Sequence, residues 1–361
     1  MESEMKQLLL QEDFSSGVLS GEWRTGEEKT RPILKECIKL PGKYCLYLPG
    51  GHCDSPLLPV KPFSYYRVDY LLKCSGSSYA AGIFYDDTGS ELPSDHYTGA
   101  DVSPDWTKQS FCFLGKACSR NVRIRFRPIK KEMFVGSIQV SSITTSEALS
   151  WVESIYHNMP PCNFELSAEM YRPLPGWQKT LAVPGTRRFV LLGDSVVNDI
   201  SNSLFELLIE RHYPGLRIEV VSSTRSGGNC TYYGQNQHLS RHVLQYNPDL
   251  LVIGGISHGG NTEPIKNLVE KIQRESKTSI LLLTGAFVTP ERKKSSDYPL
   301  LLRELAEKLD TGFLDTEKAW SDYVARSSYP PEYFMRDTHH ANERGKQVIA
   351  RLLEKFFTEN Q

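Results

Sequence analysis

The chain has 361 residues, 42 of them basic and 43 acidic, for a net charge of −1. That length fits two domains better than one. The balanced charge argues against a general nucleic-acid binder, which carries a basic excess, and no apolar run approaches the roughly 18 residues a membrane-spanning helix needs. The opening MESEMKQLLLQEDF is acidic and does not read as a signal peptide, so a cytoplasmic protein is expected; a secreted form whose leader has been replaced is the alternative. The eight cysteines form no C-x-x-C pair, which removes zinc-ribbon and thioredoxin readings, and buried free thiols are expected over disulfides. No His-Glu-x-x-His and no glycine-rich phosphate loop occurs, so neither a metal nor a cofactor is expected.

In chain order, the first part reads as β. YYRVDYLLKC (65–74), YAAGIFYDD (79–87), KQSFCFLG (108–115), NVRIRFRP (121–128) and MFVGSIQVSSI (133–143) are short, rich in aromatic or β-branched residues, and separated by turn-formers. They predict an all-β sandwich over 8–145. YDDTGSELPSDHYTGAD (85–101) reads as a long polar loop, with His96 and Tyr97 near its end. Arg123, Arg125 and Arg127 alternate with Val122, Ile124 and Phe126, which predicts a solvated arginine face. Residues 146–187 hold a helical stretch, SEALSWVESIYHNM, and then a proline-bearing strap.

From 188 to 361 the period changes. Apolar strands at 188–193, 216–223, 249–255, 279–287 and 312–315 alternate with amphipathic segments such as TEPIKNLVEKIQRES and YPLLLRELAEKLD, and ANERGKQVIARLLEKFF closes the chain as a helix. Alternation of this kind predicts a mostly parallel sheet covered by helices on both faces. Ligands of such sheets lie at the carboxyl ends of the strands, and FVLLGDSVVNDI (189–200) puts Ser195 at one of them.

A serine hydroxyl becomes a nucleophile when a base takes its proton, and the base is usually a histidine oriented by a carboxylate. Of the nine histidines, those in DTHHANERGKQVIARLL (337–353) stand out, because Asp337 and His340 share one loop ahead of the last helix. His339 is the rival base. The competing readings are a turn serine at Ser195, a helix-capping Asp337 and a surface imidazole at His340.

Gly193-Asp194-Ser195 followed by Asp337-Thr338-His339-His340, in that order and in a strand–helix context, resembles the SGNH (GDSL-type) hydrolases over about 185–358. The resemblance implies a three-layer α/β/α, flavodoxin-like domain preceded by the sandwich, which is expected to be jelly-roll-like. It implies Ser195 as nucleophile, His340 as base and Asp337 as its orienting carboxylate. It implies an oxyanion hole from the Ser195 amide, a glycine amide after the second strand (Gly227 or Gly228) and an asparagine after the third. The family's third block, Gly-x-Asn-Asp, is replaced here by Gly255-Ile256-Ser257-His258, so the third donor is open among Asn229, Ser257, His258 and Asn261. A structural role is the other reading of His258.

A sandwich ahead of such a domain resembles a carbohydrate-binding module, and the pair resembles two-domain bacterial acetylesterases, nearest the mannan-acting carbohydrate esterase family seventeen. That implies removal of O-acetyl groups from an acetylated oligosaccharide. Asp194, Asn198, Ser257 and Asn261 are candidate substrate contacts, as are Tyr97 and Trp106 of the sandwich, although each ring is also a candidate for core packing. No nucleic acid or membrane partner is expected; a homo-oligomer is left open. The alternatives are a lipid or thioester hydrolase of the same fold and a catalytically inactive carbohydrate-binding protein.

Overall fold

A computed structural model of the chain describes residues 6–19, 22–25, 33–37, 44–99, 101–285 and 297–358. The chain divides into two compact units, Met1–Trp151 and Val152–Gln361, with the boundary inside the helix Thr145–Tyr156.

The first unit contains two antiparallel sheets. One runs Ser103–Leu114, Tyr65–Cys74, Met133–Ile143, Tyr44–Leu48, Ile33–Glu36, with Leu8–Glu12 also paired to Met133–Ile143. The other runs Arg24–Thr25, Cys53–Asp54, Asn121–Pro128, Ser78–Tyr85, His96–Gly99, with Leu58–Pro59 on Asn121–Pro128. Strict alternation, as in Val68, Tyr70, Leu72 and Cys74, buries one face of each strand. The inner faces meet through rings: Tyr70 of the first sheet packs edge-on against Phe126 of the second at 5.4 Å, and Phe84 against Phe113 at 5.5 Å.

Two expectations for this unit are corrected. The 85–101 segment is a hairpin rather than a long loop. Asp86 Oδ1 accepts the Thr88 and Ser90 backbone N–H groups, each at 2.9 Å, which makes a tight turn. The chain then returns through His96–Gly99 beside Ser78–Tyr85. His96 is fully buried and stacks on Phe111 at 5.3 Å, so it belongs to the core; residue 100 lies outside the described residues. The arginine face is only partly solvated. Arg125 makes a bidentate pair with Asp54 at 2.7 and 2.8 Å, and Arg123 is buried with Nη1 on the Ser55 carbonyl; Arg127 is exposed. The neighbouring strand Cys53–Asp54 pairs with Arg125 and Phe126.

In the second unit, five parallel strands and one antiparallel edge strand make a single sheet in the order Tyr171–Arg172, Gly312–Leu314, Ser279–Leu283, Leu250–Ile253, Gly185–Gly193, Leu216–Thr224. Counted along the chain, the parallel strands lie 2-1-3-4-5. The chain therefore leaves the Gly185–Gly193 strand in one direction and later works back across it in the other. Right-handed crossovers then put the first connection's helices on one face and the next ones on the opposite face. The crevice at the reversal, between Gly185–Gly193 and Leu250–Ile253, is where sheets of this order bind ligands.

Within the 146–187 segment, Tyr171–Arg172 supplies the edge strand of this sheet and Trp177–Ala182 a short helix. The strand expected at 279–287 ends at Leu283, and residues 286–287 lie outside the described residues. After Ser195 the chain forms two short helices, Ser195–Ser201 and Phe205–Glu210, with a break between them. At the break, Ser201 and Ser203 hydroxyls donate to the carbonyls of Asn198 and Ile200, and Leu204 takes a left-handed φ of 59°; serine side chains compete with the helical ladder in this way. All eight cysteines are free. Among the described residues, no helix is long and apolar enough to cross a membrane.

Candidate active site

The Gly185–Gly193 strand ends in a turn that has no room for a larger residue. A Cβ on Gly193 would lie 2.4 Å from the Gly254 carbonyl and 2.5 Å from Val197 Cγ2. Asp194 follows as the N-cap of Ser195–Ser201, its Oδ1 accepting the Val196 N–H at 3.0 Å. Its Oδ2 accepts the Ile256 and Ser257 N–H groups, each at 2.7 Å, which ties the loop after the third strand to the nucleophile turn. Gly255 is required beside it, since φ is +107° and a Cβ would lie 2.6 Å from Asp194 Oδ1. Tyr233 donates its hydroxyl to the Gly193 carbonyl at 2.7 Å and ties in the loop after the second strand. Strand end, cap and latch together hold Ser195 at the first position of its helix.

The loop ahead of the helix Glu343–Thr358 carries the titratable groups. His340 Nε2 lies 2.8 Å from Ser195 Oγ, and His340 Nδ1 lies 2.7 Å from Asp337 Oδ2. Asp337 Oδ1 accepts the His339 and His340 backbone N–H groups at 3.0 and 2.9 Å. Partial burial alone would raise the Asp337 pKa, but the His340 hydrogen bond and these two amides outweigh it and hold the carboxyl well below the usual carboxylate range. An ionised Asp337 fixes the proton of a neutral His340 on Nδ1, so that Nε2 faces the serine as an acceptor. Of the two adjacent histidines, His340 reaches Ser195; His339 Nδ1 contacts Thr338 Oγ1 at 3.2 Å instead.

The surrounding polar residues divide into several kinds. Gly228 donates its N–H to the Arg225 carbonyl at 2.8 Å, so its amide closes a turn. Gly227 precedes it, exposed and with a left-handed φ of +67°. Asn229 caps the helix Cys230–Tyr233 through Oδ1, and its Nδ2 is 3.5 Å from the Ser257 carbonyl. His258 is buried with Nε2 4.0 Å from Cys230 Sγ, and burial lowers its pKa, so the ring is neutral. Asn261 is exposed and accepts the Glu263 N–H at 3.0 Å, opening the helix Glu263–Glu275.

Two of the candidate substrate contacts are buried and hydrogen-bonded within the fold. Asp194 is 1% exposed with its carboxylate on three amides. Asn198 is buried, and its Oδ1 accepts from Asn202 Nδ2 and Ser222 Oγ, each at 3.2 Å. Both hold the fold. Ser257 is half-buried with its N–H on Asp194. Tyr97 and Trp106 lie in the first unit. Tyr97 packs edge-on against Tyr79 at 5.2 Å and donates to Asp95 Oδ2 at 3.0 Å; Trp106 sits where the register of Ser103–Leu114 shifts.

Sequence reasoning overlooked Asp199 and Arg336. Asp199, one helical turn beyond Ser195, pairs with Arg336 Nη1 at 3.0 Å and accepts the Ala341 N–H at 3.0 Å. The spacing from Ser195 was the available signal. Asp337, His339 and His340 also bring donor atoms within 4.8 Å of one another, the one potential metal-binding group among the described residues. Both His340 ring nitrogens are engaged there, so ligation through that ring would dismantle its contacts.

No family model matches the chain, and no curated protein does. Among solved structures, it is similar to a two-domain esterase active on acetylated mannans, co-crystallised with mannopentaose, at 13% identity over 52% of this chain and 54% of that one (TM-score 0.44). A variant of Axe2, an acetyl xylan esterase from Geobacillus stearothermophilus, aligns at 17% identity over 50% of this chain and 98% of that one (TM-score 0.40). The enzymatically active domain of tailspike protein 4 from bacteriophage CBA120 aligns at 13% identity over 34% of this chain (TM-score 0.30). This chain thus spans about half of the two-domain esterase and 20% of the tailspike chain.

Proposed function

We propose that the chain is a serine ester hydrolase of SGNH type that removes O-acetyl groups from carbohydrate, with acetylated manno-oligosaccharides as the substrate class. The observation that carries the reaction type is the continuous chain Ser195 Oγ–His340 Nε2–Asp337, at 2.8 and 2.7 Å. The acetyl-carbohydrate assignment rests on the resemblance of the pair, a sandwich ahead of a domain with Gly-Asp-Ser and Asp-x-x-His, to two-domain acetylesterases.

In this reading His340 Nε2 takes the Ser195 proton as Oγ attacks the acetyl carbonyl carbon. The carbonyl π pair moves to oxygen, and the oxyanion is met by the Ser195 N–H at the helix start and by the Gly227 N–H. Asp337, held ionised, stabilises the imidazolium. The C–O bond to the sugar then breaks, and its oxygen takes the proton back from His340, leaving acetyl-Ser195. Water, deprotonated by His340, attacks the acetyl carbon; Ser195 leaves with that proton, and acetate is released. No metal enters these steps.

Acetate release from acetylated manno-oligosaccharides, set beside hydrolysis of para-nitrophenyl acetate and its longer acyl homologues, tests the assignment. Acetyl esters are expected to be preferred, and turnover is expected to vanish in Ser195→Ala. A preference for long acyl chains would replace the substrate class by a lipid one. Turnover that survives Ser195→Ala would remove the mechanism.

A further inference from the structure

The triad reading leaves unexplained a buried charge directly behind it. Asp199 is 1% exposed and lies on the helix Ser195–Ser201, one turn beyond the nucleophile and on the same side. Burying a carboxylate is costly unless a countercharge and hydrogen bonds meet it, and both come from a single place. Oδ1 receives Arg336 Nη1 at 3.0 Å, and Oδ2 receives the Ala341 N–H at 3.0 Å.

Those two residues flank Asp337–His340. Met335 and Ala341 form an antiparallel bridge, the Arg336 N–H donates to the His340 carbonyl at 2.9 Å, and Arg336 Nη1 also donates to the Ala341 carbonyl at 3.2 Å. The loop is therefore closed into a small hairpin with Asp337 and His340 at its tip. Asp199 grips both arms at their base. Ser195 and the base of the His340 loop are thus referenced to one and the same helical turn.

We infer that Asp199 and Arg336 are positioning residues for the histidine base: they set the Ser195–His340 contact without touching substrate. This rests on the Ser195–His340–Asp337 reading. Proton transfer depends steeply on that contact, and a displacement of about 1 Å costs roughly 10²-fold in rate. The acyl group binds elsewhere, so the loss falls on kcat and leaves KM unchanged. A merely structural pair would instead lower the amount of folded protein and leave kcat per folded molecule intact.

The experiment measures kcat and KM on para-nitrophenyl acetate, per folded molecule by circular dichroism, for Asp199→Asn, Arg336→Lys, the neutral pair Asp199→Asn/Arg336→Gln, and Ser195→Ala. Asp199→Asn keeps an acceptor for Ala341 but removes the charge pair. Its kcat is expected to fall about 10–100-fold with KM within about twofold. Arg336→Lys, which keeps the charge but not the shared contact with Ala341, is expected to recover part of that loss. The double variant should lose no more than Asp199→Asn alone, because the two residues act as one unit. A folded Asp199→Asn with kcat within twofold of wild type overturns the proposal. If Asp199→Asn does not fold, Arg336→Lys and the neutral pair decide, and wild-type kcat in both overturns it equally. Failure of the triad reading looks different: Ser195→Ala then retains turnover whatever Asp199 does.

Discussion

The nucleophile turn and the histidine loop meet at one 2.8 Å hydrogen bond, yet they are built in opposite ways. On the first side the supports of the serine are buried and sterically filled: Gly193 has no space for a methyl group, and Asp194 and Asp199 are each 1% exposed. On the second, the Asp337 side chain is 43% exposed and that of His339 24%. The difference follows from what each side must do. A nucleophile has to be fixed, so its supports are packed. A proton carrier has to meet leaving group and water, so its carboxylate stays near solvent and is held ionised by local hydrogen bonds rather than by a buried cation.

The largest effect comes from removing either partner of that hydrogen bond. Ser195→Ala and His340→Ala should each lower kcat on para-nitrophenyl acetate by about 10³-fold or more with the circular dichroism unchanged. Labelling by a serine-reactive phosphonate at a residue other than Ser195 would sink the assignment.

Asp337→Asn should cost up to about 10⁴-fold, because the His340 tautomer is then no longer enforced. The same pair sets the pH behaviour. The folded Asp337 pKa is depressed, so its contribution to stability is present above the unfolded carboxylate value and is lost only as pH falls toward the folded one. Asp337 therefore stays ionised to lower pH than an ordinary carboxylate. A histidine base must be neutral to take the serine proton, so kcat/KM should fall on the acid side of the profile. A profile flat down to pH 5 would exclude a histidine base.

What was legible in the sequence was what is local. Period-two alternation marked the long sandwich strands, and Gly-Asp-Ser and Asp-x-x-His marked the two sides of the site, because each is written within a few residues. What was missed is written across the chain. The partners of Arg125 and Arg123 are Asp54 and Ser55, 71 and 68 residues away, so alternation alone made the arginines look solvated. Asp199 meets its arginine across 137 residues. His96 hides a core position behind a polar side chain, at the end of a turn that composition presented as a loop. The third block lacks the expected asparagine, and its observed task is to offer two amides to Asp194, a role that backbone supplies and side-chain letters do not reveal.

The packed side can be tested by adding one methyl group. Gly255→Ala forces a residue with a Cβ into φ +107° and against Asp194 Oδ1. Stability should fall by about 2 kcal/mol, a drop in Tm of roughly 4–8 °C by thermal melt. An unchanged Tm would mean that the loop after the third strand has more freedom than its two hydrogen bonds to Asp194 imply.

The smallest effect sharpens the contrast most, because it concerns two neighbours of the same type on the open side. His339 and His340 have ring centroids 4.0 Å apart and share the carboxylate of Asp337, but not equally. His340 Nδ1 is 2.7 Å from Oδ2, whereas His339 Nδ1 is 3.7 Å from Oδ1, beyond hydrogen-bonding reach. The backbone N–H of His339, which does bond Asp337, is kept when its side chain is cut back to alanine. His339→Ala should therefore leave the Asp337–His340–Ser195 chain in place and lower kcat by no more than about threefold, the loss of one ring contact beside His340. A loss in His339→Ala as large as that in His340→Ala would mean that the two rings exchange roles during turnover, and the assignment of a single base would fail with it.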